Sequence, residues 1–194
     1  MYQLLIDNIQ KHITLTDYEK NVFVHYLSSK QIKKRDFFIQ EGDISTHCAF
    51  VLSGCLRAYS IDENGYEHIL QFAVEDWWIA DMMSFTSQNK GYLIIDAIEN
   101  SHIALLSREH QLELFDRCPK FERYFRIITE NGMVSFQQRI LEYISLTAAI
   151  RYNNFAKKYP KFMQRLPQNQ IAAYLGITPE FLSKIRHQTT SKKT

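Results

Sequence analysis

Glu180, Ser183, Lys184 and His187 stand at offsets 0, 3, 4 and 7 within QNQIAAYLGITPEFLSKIRH (168–187), so a helix there gathers a carboxylate, a hydroxyl, an ammonium and an imidazole on one face. Groups of these types along one helical edge suit the reading of base edges. A carboxylate accepts from cytosine N4, a hydroxyl meets several edges, and an ammonium approaches guanine O6 and N7. Arg186 and His187 suit phosphate oxygens, as do Gln168 and Gln170 at the start of the segment, and Thr178 is a further candidate contact. Catalytic or metal chemistry has less to work with. The seven histidines include no His-x-His followed by Glu, and His68 and Glu67 point to opposite faces of any strand they share.

The elements that must hold this edge are legible nearby. Pro167 fits the first turn of a leading helix whose buried stripe is Ile171, Ala172 and Leu175, and Gly176 turns the chain. Thr178 is a natural N-cap, Pro179 fits the first helical position and Glu180 suits the positive helix end. Phe181, Leu182 and Ile185 are expected to pack inward. Two such helices also occur in ordinary bundles, so a module that docks a protein partner stays open as an alternative. Charge separates the readings. Residues 151–194 carry nine basic side chains and one acid, a net of +8, while 1–150 carry 14 and 20, a net of −6. A basic segment around a helical hairpin is the electrostatic footprint of phosphate binding, since neutralised phosphates release counterions.

With 194 residues, 45% of them hydrophobic, the chain is long enough for a sizeable core and a small second domain. It has no apolar run of about 18 residues and no signal-peptide layout at Met1, which predicts a cytoplasmic protein without membrane contact. Cys48, Cys55 and Cys118 are too scattered for a disulfide scaffold or a metal site. Helical spacing covers the first thirty residues, with Thr16 as a cap. From Gln31 to Leu106 short apolar runs alternate with Gly42, Gly54 and the hairpin pair Asn64-Gly65, predicting a small antiparallel barrel or jelly roll. Ser107 caps a further helix. Pro119 then opens one of roughly seven turns, whose stripe Phe121, Tyr124, Phe125, Ile128, Phe136, Ile140 and Ile144 exceeds what one barrel covers and invites a second subunit. Gly132 within it either lets two backbones approach or marks a kink.

Barrel, long helix and helix-turn-helix in this order resemble the Crp/Fnr family of bacterial transcription regulators. FFIQEGDISTHCAFVLSGCLRAYSIDENGYEHILQF looks like the family's cyclic-nucleotide-binding β-roll, and 166–186 looks like its DNA-reading unit. The resemblance implies an α+β fold: an N-terminal antiparallel β-roll sensory domain with N-terminal helices (1–118), a dimerisation helix (119–147) and a C-terminal helix-turn-helix domain (148–194). It further implies a homodimer on double-stranded DNA with an inverted-repeat operator, RNA polymerase as a partner, and no enzymatic activity. The family's reading positions fall on Glu180, Ser183 and Lys184, with Lys184 departing from the frequent Arg and so approaching guanine as a point charge rather than a fork.

The nucleotide cassette departs further. The family's Gly-Glu for the ribose falls on Ala80 and Asp81, and its phosphate-clamping Arg with Ser or Thr falls on Gly91 and Tyr92. Phe136 falls near the family's polar adenine contact. Cyclic AMP is therefore not expected as a ligand, because a buried phosphate without a cation is costly. Trp78, Asp81, Met82, Tyr92 and Phe136 are the candidates for some other pocket, with plain core packing as the alternative for the aromatic and methionine side chains. No cysteine precedes residue 48 to ligate an iron–sulfur cluster, and no metal or other cofactor is expected. Only 188–194 follow the reading helix, predicting no full C-terminal wing and a grip supplemented by Lys192 and Lys193. A small-molecule-binding cupin-like barrel is the remaining rival.

Overall fold

The computed structural model describes residues 1–191, with side chains described as far as Gln188. Lys192 and Lys193, expected to add a basic grip, lie outside the described residues. The chain packs as two compact units. One comprises Met1–Ser60 and Leu70–Glu130, the other Ile61–Ile69 and the chain from Asn131 onward.

The first unit begins with α1 (Gln3–Gln10) and α2 (Asp17–His25). Thr16 and Glu19 form a reciprocal capping box at the start of α2: the Thr16 hydroxyl accepts from Glu19 N, and Glu19 Oε2 accepts from Thr16 N at 2.7 Å. Glu19 also meets Lys120 Nζ at 2.7 Å, and this ion pair with its hydrogen bonds brings the Glu19 carboxyl down to about 2.

Eight strands follow: β1 (Leu27–Ile32), β2 (Phe37–Ile39), β3 (His47–Ser53), β4 (Cys55–Ile61), β5 (Glu67–Val74), β6 (Trp78–Ile79), β7 (Ile94–Ala97) and β8 (Ser101–Ser107), with α3 (Met82–Ser87) between β6 and β7. They form two four-stranded antiparallel sheets, ordered β1-β8-β3-β6 and β2-β7-β4-β5. The expected roll is therefore present. Gly42, Gly54 and Gly65 take φ of 86°, 96° and 82°, and at Gly54 an added Cβ would lie 2.7 Å from Asn100 O.

Between the sheets, Leu56, Ala58, Ala73, Ile79, Ile95 and Ile103 form one buried cluster. Arg57 and Asp96 sit opposite each other on β4 and β7. Their bidentate pair, at 2.8 and 2.9 Å, is buried, with Tyr59 stacked 4.1 Å from the guanidinium.

Ser107 caps α4 (Arg108–Arg117), accepting from His110 N at 3.0 Å, and α5 (Lys120–Ser145) follows. The first third of α5 belongs to the first unit's core. Phe121 and Tyr124 are fully buried, and Phe125 and Ile128 pack half-buried against the same cluster as α1 and α2. Their spacing alone counts Phe125 and Ile128 in the stripe offered to a second subunit. Helical spacing cannot tell a core-facing stretch from an outward-facing one, and here those two positions serve their own roll. Beyond Glu130 the helix enters the second unit and leaves Met133, Phe136, Ile140 and Ile144 exposed at spacings of 3, 4 and 4.

The second unit continues with α6 (Ala148–Lys158), α7 (Phe162–Arg165), α8 (Gln168–Leu175) and α9 (Pro179–Ser191). Thr147 caps α6. Phe155 packs with Tyr159, Phe162 and Tyr174 at ring separations of 5.5, 6.1 and 5.1 Å, giving this small unit an aromatic core. Among the described residues no helix is long and apolar enough to cross a membrane.

Candidate nucleic-acid interface

Helix α8 buries Ile171, Ala172 and Leu175, with Pro167 as its N-cap residue. It ends at Gly176, whose φ of 63° and ψ of 41° place it in the left-handed region, and Ile177 N donates back to Ala172 O at 3.1 Å. A side chain at Gly176 is excluded twice, by that φ and by Tyr143 Cε1, 2.8 Å from where a Cβ would stand. Thr178 then starts α9, its hydroxyl accepting from Phe181 N at 3.2 Å while Pro179 occupies the first helical position. Leu182 and Ile185, 1% and 3% exposed, are the side chains by which α9 joins the core.

The remaining face is open: Glu180, Ser183, Lys184, Arg186 and His187 are all exposed. The Glu180 carboxyl is held below the usual carboxylate range by the hydrogen bond from its own backbone N–H and by the Thr178 hydroxyl, so it is an anionic acceptor at neutral pH. Thr178 itself is exposed at the tip. Gln168 and Gln170 are half-buried in the first turn of α8, and their Oε1 atoms are buried without a partner.

Phe181 departs from the inward packing expected of it and is 48% exposed. Leu182 and Ile185 already take the core-facing side, and one residue's rotation of about 100° carries Phe181 to the margin of the open face.

A grip on the end of α8 had no counterpart in the sequence reading. Arg139 Nη2 donates to Tyr174 O at 2.9 Å and to Ile69 O at 2.7 Å, its guanidinium 3.9 Å from the Tyr174 ring centre. Tyr143 Oη donates to the same Tyr174 carbonyl at 2.6 Å, and Arg151 Nη2 donates to Leu175 O at 3.1 Å. These donors satisfy carbonyls at the negative end of α8 and tie α5 and α6 to the turn. Arg139 and Tyr143, four apart on one helical face, were the available signal.

The five pocket candidates fare differently. Asp81 is 2% exposed and caps α3: Oδ1 accepts from Ser84 N at 3.1 Å and Oδ2 from Leu93 N at 3.2 Å. A Cβ at Gly91 would stand 2.3 Å from Asp81 Oδ2, so glycine lets the loop close over the carboxylate. Trp78 packs on the roll core and donates Nε1 to Tyr124 Oη at 2.8 Å, while Met82 and Tyr92 are 50% and 71% exposed. Phe136 is exposed in the second unit. Two surface grooves of the first unit, one along His25, Tyr26 and His110 and one along Lys11, His12 and Lys120, include none of the five. Among the described residues no three His, Cys, Asp or Glu side chains converge to hold a metal ion.

A cyclic nucleotide-binding domain is matched over residues 29–118. The regulatory protein HlyX of Actinobacillus pleuropneumoniae is 25% identical over 186 residues, covering 89% of this chain and 76% of its own length. The chain is thus similar over most of its length to regulators of the Crp/Fnr kind. A second Crp/Fnr relative, the transcriptional activator protein Anr of Pseudomonas aeruginosa, is 22% identical across 80% of the chain and 68% of its own length, and the anaerobic regulatory protein of Haemophilus influenzae is 23% identical over 64% of its own length. Crp/Fnr-type folds extend the likeness. FixK2 of Bradyrhizobium japonicum superposes with a TM-score of 0.75 at 17% identity, covering 86% of each chain. The c-di-GMP-responsive regulator CLP of Xanthomonas campestris also gives 0.75, at 14% identity over 92% of this chain and 93% of that one. These curated relatives are named as regulators and activators rather than as enzymes.

Proposed function

We propose that this chain is a cytoplasmic, dimeric, sequence-specific DNA-binding transcription regulator that acts with RNA polymerase at promoters. The observation that carries the reading is the open edge of α9: Glu180, Ser183 and Lys184 face solvent from a helix anchored by Leu182 and Ile185, in a segment whose one acid is Glu180. In this reading Glu180 accepts from cytosine N4, Lys184 approaches guanine, Ser183 meets an adjacent edge, and Arg186 with His187 holds phosphates. Gln168 and Gln170 position α8 against the backbone, and Thr178 fixes the tip. The exposed stripe Met133, Phe136, Ile140 and Ile144 supports a second copy of α5 as its cover, which sets two reading edges on an inverted-repeat site.

The cassette does not fit a cyclic phosphate. Gly91 offers no cation where the family clamps the phosphate, and a second anion beside the buried Asp81 carboxylate meets like-charge repulsion and desolvation together. Titration calorimetry with cyclic AMP is accordingly expected to show no binding heat.

In vitro selection of duplex DNA tests the main reading. The expected outcome is a two-fold-symmetric site bound with a steep inverse dependence on salt, and a Glu180→Ala protein that relaxes one base position per half-site by about 1–3 kcal/mol. Absence of binding to any duplex at low salt overturns it.

A further inference from the structure

We infer that Phe181 is a specificity residue that recognises the C5-methyl group of a thymine in the major groove, resting on the DNA-reading role proposed above. Three observations point there. First, Phe181 is 48% exposed although two inward positions on the same helix are filled by Leu182 and Ile185, so its ring is not needed to close the core. Secondly, the helix tip that carries it is fixed: its backbone N–H is bonded to the Thr178 hydroxyl in the first turn of α9, the end that a reading helix presents to a groove. Thirdly, its neighbours choose the partner. Lys184 lies one turn on, at i+3 and on the same side, and the segment 151–194 carries nine basic side chains against the single acid Glu180, which favours the polyanionic duplex over an apolar protein face.

Among the groups lining the major groove, the thymine methyl is the apolar one, and an aromatic side chain meets it by contact rather than by hydrogen bonding. One helical turn of about 5.4 Å spans about one or two base steps of 3.4 Å, which puts this thymine beside the base approached by Lys184. Glu180 and Lys184 thus read polar edges while Phe181 reads the methyl, giving one helix two kinds of discrimination.

The test replaces the selected thymine by deoxyuridine, deleting only the methyl. Wild-type protein is expected to bind the uracil duplex about fourfold more weakly, the effect of one buried methyl-sized group. Phe181→Ala is expected to bind thymine and uracil duplexes equally, and Phe181→Leu to retain part of the preference. Equal wild-type affinity for the two duplexes, or a selected site with no thymine beside the Lys184 base, overturns the inference while leaving DNA binding intact. Failure of the wild-type chain to bind any duplex overturns the regulator reading as well. The wild-type comparison needs no variant, so it decides the matter even if Phe181→Ala does not fold.

Discussion

Helices α3 and α9 begin in the same way and face in opposite directions. Asp81 caps α3 through Ser84 N and Thr178 caps α9 through Phe181 N, each with a short polar side chain. At α3 the cap is buried, takes a second backbone N–H from Leu93 and is closed over by Gly91. At α9 the residues after the cap stay in solvent, with an anionic Glu180 and a cationic Lys184 within one turn. Similar local chemistry therefore yields a self-satisfied loop in the first unit and an open edge in the second. What differs is burial: the Asp81 carboxylate is enclosed by its donors, whereas Glu180 and Lys184 keep their charges at the surface.

The contrast extends along α5, and substitution there has the largest expected effect. Ile140→Glu, on the open side, is expected to give monomers by light scattering and to weaken operator binding by about a hundredfold or more, because two linked half-sites become two separate ones. Phe125→Glu, packed against the roll, is expected instead to lower thermal stability while the dimer persists. Reversal of these two outcomes places the intersubunit contact on the first third of the helix. On the closed side, Asp81→Ala removes the α3 cap and strands Leu93 N, an expected loss of about 1–3 kcal/mol in denaturant unfolding of the roll. The base preferences of the folded protein should not change. A changed selection profile would mean that the cassette still communicates with the reading edge.

The smallest expected effect concerns acid. Glu19 ionises at about 2 in the folded chain against an ordinary 4.5, so its contribution to stability is present above about pH 4.5 and is lost as the pH falls toward 2. Glu19→Gln should flatten that part of a stability–pH curve, and an unchanged slope would show that the Lys120 pair has no energetic weight.

Much of this architecture was legible because it is written in local signals. Thr16, Ser107 and Thr178 cap where their types and positions predict, Asn64-Gly65 turns the β4–β5 hairpin, and Gly176 adopts the conformation its place between two helices demands. What depends on tertiary partners leaves no such local mark. Periodicity gave Phe125 and Ile140 equal standing, although one packs on the roll and the other faces solvent. It also sent Phe181 inward, because an apolar residue between Glu180 and Leu182 carries no mark of which margin it occupies. The spacing of Arg139 and Tyr143 marks a shared face but not their acceptor, which is a backbone carbonyl thirty or more residues away.

Those donors have a mechanical consequence. Arg139, Tyr143 and Arg151 fasten the carbonyl end of α8 to α5 and α6 at the point where Gly176 would otherwise be the softest joint. The hairpin is thereby seated on α5 and α6 at its turn, much as the bit of a key is set on its shank.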